Sequence, residues 1–173
     1  MMTADDVIEV LDRFETAGVS AWLDGGWGVD ALLGRQTRSH EDLDVAIDRR
    51  DLERAQEALG PLGFRHAADA QPGLPARYVM QDAIGRQIDI HSLAFDEAGN
   101  GLQDLGNGAF GRYPSEGLVG SGKIMERPVR CLTPELQLRF HQGYQPNERD
   151  HHDMRLLAES FHLTLPGPYE SHA

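Results

Sequence analysis

Apolar residues recur at helical spacing near the start of the chain. Val7, Val10, Leu11 and Phe14 follow Thr3, which reads as an N-cap with Asp6 three residues on. Gly18 ends this predicted helix, and Ser20 to Asp24 reads as a short strand running into Gly25-Gly26. A second short helix is predicted from Trp27 to Leu33, with Gly34 as its C-cap. From Asp42 to Asp48 the period changes to two: acids alternate with Leu43, Val45 and Ile47, as in a half-buried strand. Asp51 to Leu59 returns to helical spacing, ended by Gly60-Pro61.

Further on, Arg77 to Gln81 and Arg86 to Leu93 read as two strands joined by a turn at Asp82-Ala83-Ile84-Gly85. In the second, Ile88 and Ile90 face one way and Asp89 and His91 the other. Asp96 to Gly122 is rich in glycine and poor in periodicity, so it reads as a long loop, of the length used for lids and binding loops. Thr133-Pro134-Glu135 starts a helix with a capping hydroxyl, a proline at the first position and an acid near the positive end of the dipole. A last helix is expected from Glu148 to Phe161, then a loose tail from Pro166. The expected organisation is a core at 1–132, a helical part packed on it at 133–165 and a tail at 166–173.

At 173 residues the chain suits one domain with a small helical lobe. A single cysteine, Cys131, forbids an intrachain disulfide and suits a reducing compartment. The N-terminus lacks a signal-peptide pattern and no run is long and apolar enough to span a membrane, so a cytoplasmic protein is expected. The formal charge of −12 argues against DNA or RNA partners, because phosphate contacts carry much of nucleic-acid affinity. It leaves room for a nucleotide held by a local basic group and Mg²⁺.

Asp42-Leu43-Asp44 is the sharpest chemical feature. Alternation puts both carboxylates on one strand face, about 6.6 to 6.8 Å apart along the backbone, where a divalent ion resolves their repulsion. An isolated D-x-D is more often a solvated strand face; the upstream context changes that. Gly25-Gly26 ends a strand and opens a helix, where backbone N–H groups receive phosphate, and Asp42 follows Gly26 by sixteen residues. Arg38 and His40 lie between as candidate phosphate contacts, Arg38 also as a balance for the two acids. His91 is a candidate acceptor contact or a hydrogen-bonding support behind the acids, and Tyr144 is a candidate acceptor contact. Trp27, directly after the Gly-Gly turn, is a core residue or a brace for that turn. No Walker A sequence is present.

The stretch WLDGGWGVDALLGRQTRSHEDLDV resembles the antibiotic nucleotidyltransferases of the DNA-polymerase-β-like nucleotidyltransferase superfamily, both the small lincosamide enzymes and the aminoglycoside 2″-enzymes. Ile88-Asp89-Ile90-His91 and the segment from Leu138 to Tyr144, followed by Asp150-His151 and Asp153, tilt the likeness toward the lincosamide group. The resemblance implies an α+β fold, a short mixed sheet flanked by helices with a helical C-terminal part. It implies Asp42 and Asp44 as Mg²⁺ ligands and Asp89 as a third carboxylate, which either helps hold metal or takes the proton from the attacking hydroxyl. The implied reaction moves AMP from ATP, or another NTP, to a hydroxyl of a small antibiotic. The alternatives are an aminoglycoside acceptor, a protein acceptor and a non-catalytic nucleotide-binding module. A homodimer is left open.

Overall fold

The computed structural model describes residues 1–67, 77–106 and 108–170. The chain begins with helix α1 (Ala4–Thr16), strand β1 (Ala21–Asp24), helix α2 (Gly25–Leu33) and strand β2 (Asp42–Asp48). A short 3-10 turn leads into α3 (Leu52–Leu59), then β3 (Arg65–His66), β4 (Arg77–Gln81) and β5 (Gln87–Phe95). Strands β6 (Gly101–Gly106), β7 (Ala109–Tyr113), β8 (Gly120–Ile124) and β9 (Arg127–Cys131) follow. Helices α4 (Pro134–Phe140), α5 (Glu148–Phe161) and α6 (Gly167–Glu170) complete the described chain. None of these helices is long and apolar enough to cross a membrane.

The strands form one mixed sheet in the order β3-β4-β5-β2-β1-β9-β8, with the β6–β7 hairpin attached to β5. The β2–β5 and β1–β9 pairs are parallel and the other pairs antiparallel. The expected α+β architecture, a mixed sheet flanked by helices, is the one found.

Pleating divides the sheet into two unlike faces. Leu43, Val45 and Ile47 of β2 and Ile88 and Ile90 of β5 are fully buried in one core with Val7, Val10 and Phe14 of α1 and Leu59 of α3. Each such side chain contributes about 1.5–3 kcal/mol relative to exposure. The opposite face carries Asp42, Asp44 and Asp89, and further along it Ala46 and Leu93 join a second apolar cluster with Tyr113, Leu118 and Leu136. A third cluster joins Val29 of α2 to Leu138, Met154 and Leu157, which fixes the C-terminal helices against α2.

The helix starts agree with their sequence signals. Thr3 and Asp6 make a reciprocal capping box, Thr133 caps α4 with Pro134 at its first position, and Gly34 ends α2 in the left-handed region. Three expectations need correction. The Gly-Gly pair lies within the first turn of α2, because Asp24 accepts the Gly25 N–H and so starts the helix two residues earlier than the apolar spacing suggests. Asp96 to Gly122 holds the β6–β7 hairpin, a 3-10 turn and β8. Some of its glycines serve close packing, as at Gly101, where a side chain would collide with Leu93, 2.8 Å from where its Cβ would stand, and others, such as Gly99 and Gly108, take left-handed turn conformations. The expected loose tail begins with α6, whose Tyr169 is buried and donates its hydroxyl to the His141 carbonyl at 2.6 Å. Residues 171–173 of that tail lie outside the described residues.

Gly122 lets β8 lie directly on α2, since a methyl group there would meet the Ala31 carbonyl, a backbone group with no freedom to yield. Gly122→Ala should therefore destabilise the protein by about 1–3 kcal/mol. Gly167→Ala, with open space around its α-carbon, should stay within about 0.5 kcal/mol. Thermal melting of the two variants side by side checks this.

Candidate active site

The register across three strands creates the site. Asp24 of β1 is the pairing partner of Asp44 on β2, and Asp44 is the partner of Asp89 on β5. Residues opposite one another in a sheet share a face, so the three carboxylates form one row, with Asp42 two residues from Asp44 on the same face. Asp24 and Asp89 are buried, while Asp42 and Asp44 are half-buried at the open end of the face.

Each acid meets the crowding differently. Asp24 accepts the Gly25 N–H at 2.7 Å, and burial is the main cause that pushes its carboxyl above the ordinary 3.8. Asp89 is paired with the Arg77 guanidinium and accepts from the Gln87 amide at 3.0 Å. Asp44 has Nε2 of His91 3.3 Å from its Oδ1. Asp42 makes no hydrogen bond or ion pair to a basic side chain among the described residues, and its pKa is pushed up to about 6, first by burial and then by the charges of Asp44 and Asp89. Burial works against a charged His91, yet the hydrogen bond and charge of Asp44, with Asp24 and Asp89, raise it.

The glycine turn follows Asp24 and lies against Asp44. Gly25 takes a left-handed φ of +55°, and a Cβ there would stand 2.5 Å from Oδ2 of Asp44. Glycine is needed for the conformation and for the close approach. A Cβ on Gly26 would collide with Nδ1 of His40 and stand 2.6 Å from Nη2 of Arg38. Arg38 and His40 are thus both brought to the turn, by ties the sequence did not disclose. Arg38 makes a bidentate pair with Asp153 of α5, at 2.9 Å through Nε and 2.6 Å through Nη2. The expectation that Arg38 balances Asp42 and Asp44 is corrected: it is Asp153, far along the chain, that claims the guanidinium. His40 is buried, with Nε2 2.5 Å from Asp30, whose other oxygen accepts the Thr37 N–H and hydroxyl. Trp27 is buried with its ring 4.5 Å from the His40 ring, centre to centre, and so braces the turn from below.

His91 is with the acids. Tyr144 is in the C-terminal part, where its hydroxyl donates to Asp150 at 3.1 Å and His141 stands 3.9 Å from the same carboxylate oxygen. Sequence reasoning missed Asp24, Asp30, Arg77, Gln103 and Tyr113. Asp24 was within reach, since it ends a strand directly before the glycines; the others depend on pairings across the fold.

Among the described residues, no cluster of three or more His, Cys, Asp or Glu side chains is drawn together as a self-sufficient metal site. The donor set nevertheless fits Mg²⁺. That ion is commonly held by one or two carboxylates, with substrate phosphates and water completing the octahedron. Asp42 and Asp44 are two such oxygen donors at the open end of the row, and Asp42 has a raised pKa that an adjacent cation would relieve. Asp89, with Arg77 already beside it, has less need of a cation.

A family model described as aminoglycoside-2″-adenylyltransferase matches residues 6–157. A lincosamide resistance protein of Staphylococcus haemolyticus is 31% identical over 157 residues, covering 90% of this chain and 94% of that protein. A 2″-aminoglycoside nucleotidyltransferase of Klebsiella pneumoniae is 38% identical over 125 residues, covering 71% of this chain and 63% of that protein. The crystal structure of the lincosamide antibiotic adenylyltransferase LnuA, lincomycin-bound, has a TM-score of 0.78 at 30% identity, covering 90% of this chain and 96% of that one. Both the sequence match along most of the chain and the shared sheet-and-helix architecture lead to one conclusion: the chain belongs to the antibiotic nucleotidyltransferase family that the aminoglycoside-2″-adenylyltransferase model describes.

Proposed function

We propose that this protein is a cytoplasmic adenylyltransferase that moves AMP from ATP, with Mg²⁺, onto a hydroxyl of a lincosamide antibiotic and thereby inactivates it. The observation that carries the reading is the placement of Asp44 directly against Gly25, with Asp24 and Asp89 in the same row and Asp42 two residues away on the same face. When bound, Mg²⁺ would neutralise phosphate charge and lower the pKa of the attacking hydroxyl. Asp42 and Asp44 would hold it. The Gly25-Gly26 backbone admits the triphosphate closely, with the Arg38 guanidinium, steadied by Asp153, beside the turn. Asp89 is assigned the hydrogen bond to the acceptor hydroxyl and receipt of its proton, because Asp42 and Asp44 would hold the cation; one of its bonds to Arg77 and Gln87 would give way to that contact. Pyrophosphate then leaves in line with the incoming oxygen, and most of the rate gain is positioning and charge stabilisation.

The lincosamide assignment rests on extent of match. The sequence of the lincosamide resistance protein aligns along 94% of its length, whereas that of the aminoglycoside relative, although 38% identical where it aligns, aligns along 63% of its length. An aminoglycoside also needs acids for several ammonium groups, and a lincosamide for one. ATP–Mg²⁺ assays with lincomycin, clindamycin, gentamicin and kanamycin, read by mass spectrometry, should show one AMP added to a lincosamide fastest. Faster modification of an aminoglycoside would reverse the acceptor assignment and leave adenylyl transfer intact; transfer to a protein alone would replace the small-molecule acceptor.

Asp44→Asn should lower turnover by roughly 10³-fold or more, the scale on which lost electrostatic stabilisation acts. Its melting temperature should hold or rise in the metal-free protein, since one charge leaves a crowded row. A folded variant with near-normal turnover would remove Asp44 from the cation site.

The raised pKa of Asp42 sets a pH dependence. An acid that binds its proton more tightly when folded destabilises the fold as pH rises from the unfolded value near 3.8 through about 6. Cation binding requires the carboxylate, so it should release a proton near pH 6 and almost none at pH 8. Calorimetry of MgATP binding in two buffers of different ionisation enthalpy reads the proton count, and Asp42→Asn should abolish the difference between the two pH values.

A further inference from the structure

His91 is at the end of a chain of buried hydrogen bonds that begins on the β6–β7 hairpin. The Tyr113 hydroxyl donates to Oε1 of Gln103 at 3.2 Å, Nε2 of Gln103 lies 2.9 Å from Nδ1 of His91, and Nε2 of His91 lies 3.3 Å from Oδ1 of Asp44. Gln103 is 6% exposed and Tyr113 3%, so water competes little for these groups. The donors can be ordered by elimination. A carboxylate only accepts, so Nε2 of His91 carries the hydrogen, and in the neutral ring Nδ1 is an acceptor. With the neutral ring, Gln103 presents its NH₂ to Nδ1 and keeps its carbonyl for the tyrosine O–H. Every contact in the chain is satisfied in that arrangement; an imidazolium would require the Gln103 amide to be turned round.

The two oxygens of Asp44 are thereby given different surroundings. Oδ1 is held by His91, whereas Oδ2 is the atom directly beneath Gly25, toward the turn where the triphosphate is placed. A free imidazole would exchange tautomers, and in the Nδ1–H form its bare Nε2 would repel Oδ1. Gln103 removes that option.

We propose that Gln103, braced by Tyr113, is a positioning residue for adenylyl transfer: it fixes His91 in the Nε2–H tautomer, so that the imidazole clamps Oδ1 of Asp44 and aims Oδ2 at the cation and the triphosphate. The proposal rests on the reading of Asp44 as a cation ligand. It gives the hairpin, which the glycine-rich sequence disguises as a loop, a direct connection to the chemistry. Groups that orient a metal ligand in this way typically cost 10- to 100-fold in metal affinity or activity when removed.

Long-range ¹H–¹⁵N correlation spectra of the histidine-labelled wild-type protein, without cation or nucleotide, distinguish the two neutral tautomers from the imidazolium. The His91 signals are assigned by their loss in His91→Asn. The expected result is Nε2–H; an Nδ1–H or an imidazolium pattern would overturn the proposal, because Gln103 would then have to present its oxygen. Gln103→Met keeps the volume and removes the hydrogen bonds. It should give mixed His91 tautomers, Mn²⁺ affinity lowered roughly 10- to 100-fold with a non-hydrolysable ATP analogue, and a similar fall in kcat with little change in acceptor KM. Retention of a pure Nε2–H tautomer and of Mn²⁺ affinity in that variant would also overturn it. Should Gln103→Met fail to fold, Tyr113→Phe carries the same test, with about a two- to tenfold loss of Mn²⁺ affinity for one neutral hydrogen bond, and no loss overturning the proposal. Wild-type protein that binds no Mn²⁺ with the analogue would remove the cation reading itself, and the proposal with it, while the tautomer spectrum still reports on the hydrogen-bond chain.

Discussion

Asp24, Asp44 and Asp89 occupy successive register positions on β1, β2 and β5, so one row of the sheet face holds three like charges with a fourth, Asp42, two residues away. Such a row is stable only if its charges are offset one by one. The helix start takes Asp24, the Arg77 guanidinium takes Asp89 and the His91 imidazole takes one oxygen of Asp44. What is left over is concentrated at Asp42 and the second oxygen of Asp44, the latter directly against Gly25. The raised pKa of Asp42 is the electrostatic trace of that remainder.

The same row explains why the sheet has so asymmetric a build. Leu43, Val45 and Ile47 alternate with the acids, and α1 and α3 cover them completely. At the far end of the acid face the hairpin and α4 bury Ala46, Leu93 and Tyr113. At the other end Asp24 and Asp89 are buried while Asp42 and Asp44 stay half-buried. Residues at the boundary, His91 and Gln103, couple the two.

The C-terminal helices belong to the site as much as to the scaffold. Arg38, beside the glycine turn, is anchored by Asp153 of α5, and Arg149 of the same helix pairs with Glu41, next to Asp42. Asp153 is almost fully buried, so removing Arg38 would strand a buried charge. The loop between α2 and β2 therefore takes its shape from α5, through pairs separated by more than a hundred residues.

Local signals in the sequence were enough for α1, α4 and α5, whose caps act within four residues, and for the strands β2, β4 and β5, whose alternation is imposed by burying one face. They also supplied the sheet face that carries Asp42, Asp44, Asp89 and His91, because side-chain direction in a strand follows from parity alone. Parity cannot say which strands are neighbours or in what register. The alignment of Asp24 with Asp44, the pairing of Arg38 with Asp153 and the burial of His40 against Asp30 were consequently invisible until the chain was folded. The β6–β7 hairpin was missed for a related reason. Its glycines carry no hydrophobic pattern, and its strands are held by docking against Leu93 and His91, contacts that exist only once β5 is in place.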